Sequence, residues 1–121
     1  MTLQDCYDAL GGDYADVSAR LHSERLVQKF VLKYLDDRSF DLLCTAMAEK
    51  NYEEAFRAAH TIKGICQNLS FTKLLDSSSH LSEALRHGWT PEADRLVEQV
   101  KTDHLAVTAA IQAFQEKCEE Q

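Results

Sequence analysis

The sequence predicts an all-α protein: an up-and-down antiparallel four-helix bundle with one or two short extra helices at its N-terminus. Three observations carry that expectation. Apolar residues recur at intervals of three and four along almost the whole chain, and no stretch of any strength alternates with period two. The 121 residues include 4 Gly and 1 Pro, too few for the many tight turns of an all-β fold. The connections between periodic segments are short, so consecutive helices should be antiparallel neighbours that bury their stripes against one another. A chain of this length is expected to form one domain over 1–121, and it shows no linker, repeat or low-complexity segment.

The elements can be justified in order. Thr2 is placed to cap a first short helix that Gly11-Gly12 ends. Asp13 caps a segment through Leu21, and Ser23 opens another with Leu26, Val27, Phe30, Val31 and Tyr34 on one face. Asp36-Asp37-Arg38 is a polar break, after which Ser39 can cap a helix over 40–50 with Leu43, Ala46 and Met47 aligned. Asn51 with Glu54 three residues later has capping-box spacing, and the helix it starts should run to Asn68 or Leu69. A further helix is expected from Thr72 to His87, with Leu74, Leu81 and Leu85 repeating and Ser78 in the gap. Arg86 and His87 suit its negative end, and Gly88 follows it. Thr90-Pro91-Glu92 combines a cap, a first-position proline and an acidic first turn. From there Ala93, Val97, Val100, His104, Val107, Ile111, Phe114 and Cys118 keep helical spacing to the C-terminus.

Composition excludes several classes of function. A formal charge of -7 argues against a nucleic-acid or anionic-membrane surface, both of which need clustered Lys and Arg. No apolar run approaches the ~20 residues that span a bilayer. Met1-Thr2-Leu3-Gln4-Asp5 has no basic stretch leading into an apolar one, so a cytoplasmic protein is expected. Cys6, Cys44, Cys66 and Cys118 are widely spread, with no C-x-x-C and no nearby His at ligand spacing. Cys44, Cys66 and Cys118 fall on apolar stripes, so buried thiols are expected rather than a disulfide framework or a metal site.

One histidine points the wrong way for packing. On a helical wheel Ala55, Ala58, Ala59, Ile62, Ile65, Cys66 and Leu69 gather on one side, and His60 points almost directly away. Within about 60° of it lie Glu53, Phe56, Arg57, Lys63, Gly64 and Gln67. Phe56 is a large apolar residue where water is expected. Gly64 is a mid-helix glycine that costs roughly 1 kcal/mol against alanine, so the missing side chain should be useful. A nucleophilic imidazole that accepts a phosphoryl group would use all three neighbours. Lys63 would offset the incoming charge, Gly64 would admit a partner's backbone, and Phe56 would belong to a docking patch.

The run Ala59-His60-Thr61-Ile62-Lys63-Gly64, then Leu69 and Leu74, closely resembles the signature of histidine-containing phosphotransfer domains of multistep phosphorelays. Leu10-Gly11-Gly12-Asp13 and the Phe30 helix also look like that family's N-terminal region. The resemblance implies a four-helix bundle with His60 as phosphoryl acceptor at its distal ring nitrogen, exchanging with receiver-domain aspartates. It further implies Lys63 as phosphoryl-stabilising residue and Gly64 as the steric allowance; Gln67, facing the same way as His60 two turns on, would aid Lys63. Phe56, Arg57 and Glu53 would be the docking residues. The expected partners are receiver domains of response regulators and of a hybrid sensor kinase. Mg²⁺ is expected on the receiver, with no metal or cofactor on this chain. One position departs from the pattern: the family's second glycine, a turn former, is Ser70 here, which questions the turn geometry and suggests a cap for the next helix.

The other histidines have plainer roles. His104 lies on an apolar stripe and is expected to be a satisfied core or boundary residue, His87 a partner for a helix end, and His22 and His80 have no constellation around them. The acidic end Glu116, Glu119 and Glu120 should be solvated. There is no glycine-rich phosphate loop and no room for a kinase domain beside the bundle, so a carrier rather than an enzyme is expected. Two other classes stand beside that expectation. One is a helical module that binds receivers without being phosphorylated; the other is a metal-binding or enzymatic bundle, for which inward His and carboxylates are lacking beyond His104. A monomer suffices to bury the stripes.

Overall fold

The computed structural model describes residues 1–119. It contains seven α-helices: α1 Leu3–Leu10, α2 Tyr14–Leu21, α3 Glu24–Lys33, α4 Ser39–Ala48, α5 Tyr52–Leu69, α6 Thr72–Ala84 and α7 Pro91–Glu119. A 3-10 turn, Tyr34–Asp36, follows α3, and no strand occurs among the described residues. Helices α4, α5, α6 and α7 pack in chain order, and their short connections make neighbours antiparallel. The ring closes where Phe40 at the start of α4 stacks on His104 of α7, with ring centroids 3.8 Å apart. α1 lies along α7, and α2 and α3 cover one end of the bundle. The fold is the expected all-α bundle, with three N-terminal helices where one or two were expected.

Local chemistry sets most of the boundaries. Thr2 and Asp5 form a reciprocal box: Asp5 N–H donates to Thr2 Oγ1 (3.1 Å) and Thr2 N–H to Asp5 Oδ2 (3.0 Å). Asp13 and Ser23 cap α2 and α3 through their side chains. The N-terminus of α4 is different from expectation. Ser39 does not cap it; its own N–H donates to Asp37 Oδ1 (2.8 Å), and the helix ends at Ala48, where Lys50 turns the chain with φ 57. Asn51 Oδ1 accepts from Glu54 N–H (3.3 Å), but the return half of a capping box is replaced by Asn51 N–H donating to Ala46 O (2.8 Å). Helix α6 stops three residues before His87. Thr90 is the reason: its hydroxyl donates to Ala84 O (3.1 Å) and accepts from Ala93 N–H (3.2 Å), closing one helix while opening the next.

The core is built from Leu43, Ile62, Leu74, Leu81, Leu85, Val100, Val107 and Ile111, with Tyr7 and Phe71 as its largest side chains. Small residues bring helices close: Ala55, Ala58 and Ala59 on α5, and Ser77, Ser78 and Ser82 on α6, are all buried. Ser78 meets its polar need locally, donating to Leu74 O (2.7 Å).

Three burial expectations are corrected. Leu26 is exposed because α3 buries only Val27, Val31 and the following Tyr34. Cys118 is exposed and Cys44 half-buried, whereas Cys6 and Cys66 are buried. On α7, Phe114 is the last buried residue among the described residues, and Cys118 lies beyond it. Burial pushes the Cys6 thiol up to about 11 and Cys66 to about 12. A carboxylate absent from the expected core, Asp103, is 2% exposed and accepts from Gln99 Nε2 (3.0 Å). Of the acidic end, Glu116 is exposed; the Glu119 side chain and Glu120 lie outside the described residues.

The N-terminal helices lock the far end of α5. Tyr7 donates its hydroxyl to Leu69 O (2.7 Å) and Arg20 Nη1 donates to Asn68 O (3.0 Å), so two carbonyls left over at the helix end are satisfied. Ser70 takes the left-handed conformation, φ 57, that a glycine would adopt more readily. Its hydroxyl donates to Asp16 Oδ2 (2.6 Å) and accepts from Arg20 Nη1 (2.9 Å). Ser70 therefore keeps the turn and ties it to α2; it does not cap α6, which starts without a side-chain cap.

Candidate functional site

Helix α5 turns Ala55, Ala58, Ala59, Ile62, Cys66 and Leu69 inward, and this buried stripe fixes what remains outside. His60 is exposed and makes no hydrogen bond with another described residue, so neither ring nitrogen is committed to the chain. The Phe56 ring lies beside it, nearly parallel at 25°, with centroids 6.1 Å apart. Lys63 is half-buried and has no carboxylate within ion-pair distance among the described residues. Gln67 is exposed. Gly64 faces open space: a Cβ built there meets nothing within 4 Å. No atom of the described residues needs that clearance.

Arg57 and Glu53, expected on the docking face, are exposed and engaged with each other. Arg57 Nη2 donates to Glu53 Oε1 (2.8 Å), and Nη1 is held by Glu54. Such pairs on a solvated helix contribute only a few tenths of a kcal/mol, roughly 0.3–0.5. Thr61 donates its hydroxyl to Arg57 O (2.9 Å). Beyond Arg57 a groove between α4 and α5 is bordered by Thr61, Thr45 and Leu42, the last 62% exposed.

Two residues at the end of α6 join the face without having been expected there. The Arg86 guanidinium sits over the Phe56 ring, 5.7 Å from its centroid. Glu83 holds that guanidinium by three contacts: Arg86 Nε is 3.2 Å from each oxygen and Nη2 is 3.0 Å from Oε2. The hydrogen bond from Arg86, followed by its charge, holds the Glu83 carboxyl below the usual carboxylate range; Lys63 and His87 act in the same direction. Glu83 on α6 therefore feels the charge of Lys63 on α5 without forming an ion pair with it. The antiparallel pairing of α5 with α6 was expected, but the register that brings 83 and 86 beside 56 and 63 depends on packing. Among the described residues no group of three or more His, Cys, Asp or Glu is placed to hold a metal ion.

An exposed, uncommitted imidazole flanked by an ammonium and a bare helical position is arranged to accept an electrophile delivered by another molecule. A family model for the Hpt domain matches residues 25–117. The chain belongs to the Hpt domain family. Hpt domains are phosphocarriers rather than kinases, and they interact with receiver domains in phosphorelays. The match takes in α4, α5 and α6 whole and leaves α1 and α2 outside it. Comparison with curated proteins and with solved structures found no match. No helix of this Hpt domain is long and apolar enough to cross a membrane among the described residues.

Proposed function

We propose that this Hpt domain is a phosphorelay carrier in which His60 takes a phosphoryl group from one receiver aspartate and gives it to another. The observation that carries this reading is the exposed, unbonded His60 ring beside the bare surface at Gly64. In the forward step the lone pair of neutral His60 Nε2 attacks the phosphorus of an aspartyl phosphate. The P–N bond forms as the P–O bond breaks, the electron pair leaves with the receiver's carboxylate, and Nδ1 keeps its proton. The second transfer is the same step reversed on another receiver. Lys63 offsets negative charge on the moving group, Gln67 offers a hydrogen bond from two turns further on, and Gly64 lets the receiver's backbone approach. Phe56, Arg57 and Glu53 form the docking face. The partners are receivers of response regulators and of a hybrid sensor kinase, and the receiver brings the Mg²⁺. The carrier acts in the cytoplasm as a monomer, with 1–121 forming one domain.

The test mixes the purified protein with phosphorylated receiver domains and follows the label. Acid-labile, base-stable label on the wild type and none on His60→Gln is the expected result. Stable complexes with receivers but no transfer would overturn the carrier role and leave a non-phosphorylated interaction module.

A further inference from the structure

Both arginines that border the His60 face are already matched by carboxylates: Arg57 by Glu53 and Glu54, and Arg86 by Glu83. Among the described residues, Lys63 is the cation of that face left without an ion pair. A site built to store phosphate would present its cations free. This one presents its two arginines neutralised, and Glu83 is the residue that neutralises Arg86. It grips the guanidinium that lies over Phe56, the ring beside His60, and its charge also meets Lys63.

We infer that Glu83 is a positioning residue that raises the transfer potential of phosphorylated His60 by competing with the phosphoryl group for Arg86 and Lys63. The inference rests on the carrier reading and adds direction to it. A phosphoryl group brings close to two negative charges to the face. With Glu83 in place, those charges meet an occupied guanidinium and the carboxylate that occupies it. The free-imidazole state is favoured over the loaded one, and the group moves on readily. With the carboxylate neutralised, Arg86 and Lys63 both turn to the phosphoryl group and hold it.

Phosphoramidate, a small phosphoryl donor, tests this without a receiver. Its P–N bond breaks as the bond from phosphorus to His60 Nε2 forms, and its nitrogen departs as ammonia. At a fixed ratio of phosphoramidate to ammonia, ³¹P NMR gives the plateau ratio of phosphorylated to free His60. Glu83→Gln should raise that ratio about two- to fivefold, the range of a solvated ion pair, and added salt should narrow the gap. Glu83→Asp, which keeps the charge, should stay near the wild type, and Arg86→Gln should lower the ratio. Glu98→Gln, which breaks the Lys101 pair on α7, serves as the control and should leave it unchanged. A plateau for Glu83→Gln equal to that of the wild type overturns the role of Glu83 while leaving the carrier intact. No phosphohistidine in the wild type overturns both.

Discussion

His60 owes its exposure to the angle between it and the buried alanines of α5, and its two nearest helical neighbours in that direction separate charge from shape. Lys63→Ala should slow transfer from a phosphorylated receiver about tenfold, the loss of one transition-state contact of ~1.4 kcal/mol, with an unchanged circular dichroism spectrum. Equal rates would reduce Lys63 to a surface lysine. Gly64→Ala separates stability from activity. Because nothing lies within 4 Å of the added Cβ, the variant should unfold about 0.5–1 kcal/mol later in urea, yet transfer more slowly. A less stable Gly64→Ala would mean that the helix itself needs the bare position. The directions of His60, Lys63 and Gly64 were legible in the sequence because helical periodicity fixes angles within one element. Arg86 and Glu83 were not, because their place depends on how far α6 slides along α5. The mutual engagement of Arg57 and Glu53 was hidden too, since side-chain conformers decide it.

At the scale of elements, punctuation was readable wherever one side chain serves one helix end. Thr2, Asp13, Ser23 and Thr90 cap where the pattern placed them. It failed where a residue from outside the helix takes over. Asp37 holds the first turn of α4, and the Thr90 hydroxyl ends α6 from six residues away. Ser70 is the instructive case. A departure from a glycine pattern suggested a doubtful turn, but the left-handed backbone persists because Asp16 and Arg20 hold the hydroxyl. Ser70→Ala should keep the strained backbone and lose those bonds, costing roughly 1–2 kcal/mol in urea denaturation. If the variant is as stable as the wild type, the hydroxyl network contributes nothing to the turn.

At the scale of the whole molecule, His104 should make the joint where the bundle closes sensitive to acid. His104 is packed on Phe40, its Nδ1 lies 2.7 Å from the Tyr34 hydroxyl, and burial lowers its pKa from the ordinary 6.5 while Asp41 and Asp37 oppose the shift. A depressed folded value means that the unfolded chain binds the proton first. The contribution is whole above pH 6.5 and is lost as pH falls through the lower folded value. Thermal unfolding between about pH 7.5 and pH 5 should show this loss, and His104→Gln should flatten it. An unaltered slope in that variant would assign the acid sensitivity elsewhere. The bonds from Tyr7, Arg20 and Asp16 to the end of α5 have a last consequence. The segment by which the family is recognised, 25–117, leaves out Tyr7, Asp16 and Arg20, which hold the end of α5. Trimming the chain to 25–121 would uncover the α7 face that α1 covers and strip the Asn68 and Leu69 carbonyls of their donors. Such a fragment should retain helical circular dichroism but melt without a sharp transition, and a sharp melt like that of the full chain would refute this. A broad melt would make the portable part of this Hpt domain larger than its signature.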